Sequence, residues 1–311
     1  MSVDLETVEL RSYAELPDRH RGARVLAGTV DARGRALWLL TDPQQDPADR
    51  PSARFDAVVA VVDGESEWEV PLTGVHPGAR MLDALPDGGF LTVAPAAEPT
   101  RSGPAAPANT QVFGPDGTRR ADFRIGDGVA FALTDRQGTL WTGYSDEGIF
   151  SDPLSAPGLA RWSARGERLW AFTPVSGADY IADCYTLNVS EDVVWASTYT
   201  GFPLLEIRDQ RVYRVRSSPV AGPSGVVVHR DRAVFFGGYG ETAGDRLTFC
   251  RLGLDSVDEE GQLTLLRPGG ERLREGGERP VGASVPAVCR GERLYVADPR
   301  THSWGVYQVS W

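Results

Sequence analysis

The sequence predicts an all-β protein built from one repeated four-stranded unit. Three observations carry the prediction: a turn followed by an aromatic residue recurs along the chain, no amphipathic helix of about 10–12 residues interrupts the strands, and the two chain ends complement one another. The turn signals are Asp31-Ala-Arg-Gly34, Pro86-Asp-Gly-Gly89, Asp135-Arg-Gln-Gly138, Ser190-Glu-Asp192, His229-Arg-Asp231 and Arg290-Gly-Glu292. Each leads within a few residues to a large aromatic: Trp38, Phe90, Trp141, Trp195, Phe235 and Tyr295. The spacing is about 40–60 residues, the length of one propeller blade, and the interval across the chain ends fits the same period.

Two further strands follow the aromatic one in each unit. In the third unit they are Gly158-Leu-Ala-Arg-Trp162 and Arg168-Leu-Trp-Ala-Phe172; in the second, Thr110-Gln-Val-Phe113 and Ala121-Asp-Phe-Arg124. The sixth unit shows only three, Ser284–Val288, Arg293–Ala297 and Gly305–Val309, and the alternating segment Leu5-Glu-Thr-Val-Glu-Leu10 is expected to supply the fourth. One four-stranded sheet cannot bury both faces alone, whereas sheets stacked on one another can, and pairing the first strand with the last removes an exposed edge. The expected fold is therefore a six-bladed β-propeller of four-stranded antiparallel blades, the last closed by an N-terminal strand. It forms a single domain over 1–311, with blades near 22–73, 74–126, 127–176, 177–218, 219–279, and 280–311 plus 3–10. Ala94 to Asn109 and Pro268 to Pro280 read as loops.

Composition narrows the function. The formal net charge is −11, so nucleic acid and anionic membrane are poor partners. No apolar run approaches the roughly 20 residues of a membrane span, and the acidic N-terminus lacks a signal-peptide pattern, so a cytoplasmic location and a monomer are expected. The chain contains no lysine, which removes Schiff-base and lysine-base chemistry. Cys184, Cys250 and Cys289 form neither a CxxC pair nor a zinc pattern and read as reduced thiols.

In a propeller the second-to-third loops and the links between blades share one face. In this chain they hold nearly all the unusual residues, so that face is the expected site. Three aromatic-bearing strands end in tyrosines, Tyr144, Tyr199 and Tyr239, with Tyr185 and Phe202 close in the pattern. A tyrosine has a flat apolar body and a polar tip, suited to a small polar ligand such as a sugar or an aromatic metabolite; the alternative is that these rings pack the rim. Asp146, Glu147 and Asp183 are the candidate catalytic acids, because crowded carboxylates shift one another's pKa values; the alternative is that they cap backbone N–H groups. His76 and His302 are added as ligand-binding or acid–base partners. Cys184 is a candidate nucleophile against the simpler reading of a small buried residue. No cofactor is expected; the one alternative is Ca2+ or Mg2+ held by Asp127, Asp146, Glu147 and Asp183.

Asp146-Glu-Gly-Ile-Phe150, Asp183-Cys-Tyr-Thr-Leu-Asn188, Phe202-Pro-Leu204 and Gly237-Gly-Tyr239 resemble segments of a group of uncharacterised bacterial propeller-like proteins, over roughly residues 126–240. That resemblance implies the propeller fold and no particular activity. By architecture alone the chain also resembles the six-bladed lactonase and phosphotriesterase propellers, which hold calcium. Their Glu/Asn/Asn/Asp ligand set is not matched at the inner-strand starts here. The function expected is binding of a small polar ligand, with hydrolase or lyase chemistry on carboxylates if it is an enzyme; the alternative is a protein–protein interaction platform.

Overall fold

Alternating apolar and polar residues, cut at short intervals by Gly- and Asp-containing turns, give strands of three to ten residues throughout. The computed structural model describes residues 6–44, 53–96, 107–240, 243–273 and 286–309. The stretches expected as loops therefore fall partly outside the described residues, as do residues 3–5 and 284–285 of the expected end strands. The chain divides into two compact units. One, the N-unit, comprises Ala14–Pro174 with Tyr180–Cys184; the other, the C-unit, comprises Met1–Tyr13, Val175–Asp179 and Tyr185–Trp311.

The N-unit contains three antiparallel meanders. They are Arg24–Val30, Ala36–Thr41, Phe55–Asp63 and Ser66–Val75; Met81–Ala84, Phe90–Val93, Thr110–Phe113 and Arg119–Phe123; and Val129–Thr134, Leu140–Tyr144, Leu159–Trp162 and Arg168–Ala171. The following strands, which enter the C-unit at Tyr185, continue the pattern with Asp183–Val189, Val194–Tyr199, Leu204–Arg208 and Arg211–Arg216, then Pro223–His229, Arg232–Gly237, Arg246–Leu252 and Val257–Leu266. The last meander is Ala287–Arg290, Arg293–Asp298 and Ser303–Gln308, completed by Arg11–Ala14 from the N-terminus. The chain is thus a β-propeller of six four-stranded antiparallel blades with an N-terminal closing strand.

The closing strand is not the one expected from 3–10. Thr7–Glu9 instead adds in parallel to Val257–Leu266, with Thr7 opposite Thr264 and Glu9 opposite Leu266. The hand-over occurs at Leu10. Its N–H donates to Leu266 O at 2.9 Å, and its side chain is buried in one cluster with Val234, Leu247, Leu294 and Val296 of the two neighbouring meanders. Leu10 acts as a pin between two sheets, so the alternation of 5–10 spans a switch of sheet and not one strand. Beyond the pin, Tyr13 packs on Tyr295 at 4.8 Å.

Each of the six repeat aromatics lies on the second strand of its blade and is at most 5% exposed. Burying a side chain of this size stabilises the fold by about 1.5–3 kcal/mol. Polar side chains stitch inner strands together. In the N-unit, Asp83 accepts from Thr134 N–H at 2.7 Å and Ala84 N–H at 2.9 Å, tying the first strands of blades two and three. In the C-unit, Asn188 donates to Val226 O (2.9 Å) and Gly291 O (2.7 Å) and accepts from Gly291 N–H (2.7 Å). No helix among the described residues is long and apolar enough to cross a membrane.

Candidate functional site

In the N-unit the segment after Tyr144 folds into a short helix, Asp146–Ser151, where the sequence suggested an irregular loop. Ser145 is extended at the N-cap position, and two acids occupy the first turn, where their charge complements the helix dipole. Asp146 Oδ1 accepts from Glu147 N–H at 2.8 Å, as the capping alternative anticipated. The helix is seated on Asp127 and Gly128: Ser145 N–H donates to Gly128 O at 2.8 Å, and Ser155 Oγ donates to Asp127 O at 2.6 Å. A Cβ on Gly148 would lie 2.0 Å from Asp127 O, so only glycine permits this approach. Asp152 anchors the far end by pairing with Arg124 and accepting from Leu154 N–H.

Asp183, half-buried at the start of its strand, is pushed up to about 6. Burial is the main cause and the charge of Asp146 the second, partly offset by the hydrogen bond from Cys184 N–H. The charge of Asp146 thus reaches Asp183. Glu147 is exposed and is not among the groups acting on Asp183. Cys184 is buried against Gly143, where an added Cβ would meet its Sγ at 2.5 Å, so it packs as the small buried residue of the simpler reading. Among the described residues no group of three or more His, Cys, Asp or Glu side chains is placed to hold a metal ion.

Tyr144 is a correction to the expected site. It is fully buried, and its hydroxyl accepts from Thr142 Oγ1 (2.9 Å) and donates to Ile125 O (2.5 Å), while Trp162 Nε1 donates to Thr142 Oγ1 (3.1 Å). The ring is scaffold and offers no surface to a ligand. His76 is also committed locally: its Nδ1 accepts from Gly78 N–H at 3.0 Å, which makes it a turn residue.

The C-unit assembles the remaining aromatic residues. Phe202, 7% exposed, sits at the centre, with Tyr185 at 5.0 Å and 89°, Tyr239 at 5.3 Å and 88°, and Tyr199 at 5.5 Å and 52°. Tyr185 and Tyr239 cross at 85° and share a hydroxyl–hydroxyl hydrogen bond. These are favourable edge-to-face contacts, worth about 0.5–1.5 kcal/mol each beyond area burial. The sequence reading missed Gly222. At φ +64° it leaves the space that Tyr239 fills, since a Cβ there would lie 2.4 Å from the ring; its signal was the turn cluster Ala221-Gly222-Pro223. His302 occupies the tight turn before Ser303–Gln308, at φ +55°.

No protein-family model and no curated protein matches the chain, so the segments that resemble the bacterial propeller-like group are not assigned to a sequence family. The chain is similar in structure to known β-propellers. Apo AztD from Citrobacter koseri matches at 11% identity and TM-score 0.45, over 88% of this chain and 66% of AztD, so the chain spans just under two thirds of AztD's length. The Cps50 (Swd1) β-propeller domain of Myceliophteria thermophila matches at 10% identity and TM-score 0.49, over 97% of this chain and 100% of that domain. A Bacteroides fragilis protein described as a candidate 6-phosphogluconolactonase matches at 13% identity and TM-score 0.45, over 83% and 75% of the two chains. Similarity at this level concerns the fold alone, and the fold assignment rests on the strand topology above.

Proposed function

We propose that the chain binds a small polar ligand with a flat or ring-shaped body, a sugar or an aromatic metabolite, on the tyrosine group of the C-unit. One observation supports this reading above the rest: Tyr199 and Tyr239 are 44% and 56% exposed although both rings are held against a buried Phe202. Rings fixed in advance lose little conformational entropy when a ligand stacks on them, and their hydroxyls supply polar contacts at the edge. The test is a thermal-shift screen of monosaccharides and phenolic metabolites. At least one compound is expected to stabilise the protein, and the shift should disappear in Tyr199→Ala and Tyr239→Ala. Gly222→Ala, which displaces Tyr239, is expected to weaken that ligand about tenfold or more. Silence across the panel rejects the small-molecule reading in favour of a protein-binding platform, whose partner would be lost in the same variants.

A second reading, acid–base chemistry in the N-unit, is supported by Asp183. A carboxyl group near 6 is partly protonated at neutral pH and beside the charged Asp146 could serve as acid or base, with Glu147 nearby in sequence. Asp146→Asn should then abolish turnover without unfolding the protein. The pair also has a stability signature. Asp183 binds its proton more tightly folded (about 6) than unfolded (3.8), so its contribution is most favourable below about pH 4 and is lost as pH rises through 6. Asp183→Asn is therefore expected to be more stable than wild type at pH 7 by about 1–2 kcal/mol, discounted because water screens part of the carboxyl. The gain should vanish near pH 4; urea titrations at both pH values would show it, and an equal difference at both removes the shifted carboxyl from the account.

A further inference from the structure

In the C-unit the outer strand of the fourth blade, Arg211–Arg216, ends its sheet and is paired on one side only, with Leu204–Arg208. The turn Asp209-Gln210 joins the two strands, with both residues at positive φ. The register between them slips between Glu206 and Ile207, and Tyr213 is the extra residue. Arg208 stands opposite Arg211, Glu206 opposite Arg214 and Leu204 opposite Arg216, and residues directly opposite share a sheet face. Without the bulge, alternation would put Arg211 on the other face from Arg214 and Arg216. The bulge thus gathers Arg208, Arg211, Arg214 and Arg216 on one face, in a chain whose net charge is −11.

Two of these arginines are committed. Buried Glu206 accepts from Arg208 Nε through Oε1 at 2.6 Å and from Arg216 Nη1 through Oε2 at 2.8 Å. Both carboxylate oxygens are therefore taken. Arg211 and Arg214 make no ion pair and no side-chain hydrogen bond among the described residues. Tyr213 is 62% exposed, and the guanidinium carbons of Arg208 and Arg214 each lie 5.5 Å from its ring centre. Cation–π contact of this kind holds the Arg214 head in place without neutralising it.

Two independent features converge on one kind of occupant. A strand at the end of a sheet offers a row of backbone N–H and C=O groups, which an extended polypeptide satisfies and a nucleic acid does not. Guanidinium groups without a partner take carboxylates, and charge on an edge turns away neutral or like-charged strands. We infer that the Arg211–Arg216 edge takes up an extended segment of a partner protein with acidic residues at alternate positions. The segment adds as a further antiparallel or parallel strand, with its carboxylates on Arg211 and Arg214. This surface shares no residue with the tyrosine group and does not depend on the function proposed for that group.

Fluorescence anisotropy of the whole protein with a labelled short peptide, glutamate alternating with valine and threonine, tests the inference. The acidic peptide is expected to bind. The same peptide with lysine for glutamate should bind at least about tenfold more weakly, and one with a central proline about tenfold more weakly, because its ladder is interrupted. Joint Arg211→Gln and Arg214→Gln substitution should weaken the acidic peptide about tenfold and leave the melting temperature unchanged, since neither side chain is ion-paired. Arg211→Gln alone, beside the turn, should weaken it about threefold and serves if the double variant melts early. Absence of binding by the acidic peptide overturns the inference, as does equal binding of the lysine peptide. An unaffected proline peptide reduces the contact to charge alone and overturns strand addition. So does undiminished binding to a double variant that melts as wild type, or tighter binding of a labelled oligothymidylate. A dimer seen by sedimentation that the double variant dissolves, without peptide binding, assigns the edge to a second copy instead.

Discussion

Replacing Asn188 by leucine is expected to destabilise the protein by about 2–5 kcal/mol, since each buried polar group left unpaired costs about 1–3 kcal/mol. The Asn188 amide serves three backbone groups, Val226 O, Gly291 O and Gly291 N–H, drawn from the two following blades. Gly291 O retains a bond from Val228 N–H at 3.2 Å, so the loss falls mainly on Val226 O and Gly291 N–H. Leucine matches asparagine in size but can neither donate nor accept. Asn188→Asp is expected to be no better, because it restores the acceptor for Gly291 N–H while turning a carboxylate toward two carbonyl oxygens. Against a total stability of about 5–15 kcal/mol, such a loss is readily measured by urea unfolding. A change below about 1 kcal/mol would mean that water replaces the amide and that the stitch is not structural.

Gly148→Ala should have the other large effect. The added Cβ would lie 2.0 Å from Asp127 O, 2.7 Å from Asp127 C and 2.9 Å from Gly128 Cα. All three are backbone atoms with no side-chain rotamer to yield, so the helix must lift from its seat. We expect a loss of about 2–4 kcal/mol, at the upper end for overpacking. Lifting the helix also moves Asp146, whose charge contributes to the raised Asp183. The Asp183 carboxyl, followed by NMR titration, is then expected to fall from about 6 toward the ordinary value of 3.8. Phe150→Ala, two residues further on, provides the contrast. Its ring is 74% exposed, and removal should change stability by no more than about 0.5 kcal/mol. A Gly148→Ala protein with wild-type stability and an unmoved Asp183 titration would mean that the helix does not set the charge pair.

The two candidate sites were legible to different degrees. Asp146 and Asp183 were recognisable as acids at neighbouring positions of the expected site, and the charge of Asp146 adds to the burial that raises Asp183. Their unequal roles were not, because burial of Asp183 and exposure of Glu147 depend on how the short helix is seated. The aromatic group was legible as residue types, but its geometry was not. Phe202 is at its centre because the chain takes φ +52° there, and Tyr239 fits because Gly222 lacks a side chain.

Local chemistry in the chain was enough to establish the blade repeat, the strand faces and the six buried aromatics, because turn residues and period-two alternation act over a few neighbours and need no knowledge of the rest. Which sheet each N-terminal segment joined, whether a tyrosine became wall or surface, and which carboxyl became half-buried were decided by packing between segments distant in sequence. Those outcomes turn on contacts of a few ångströms, such as Leu10 against two sheets or Gly148 on Asp127. The burial and charge at each contact come from residues that no local window contains.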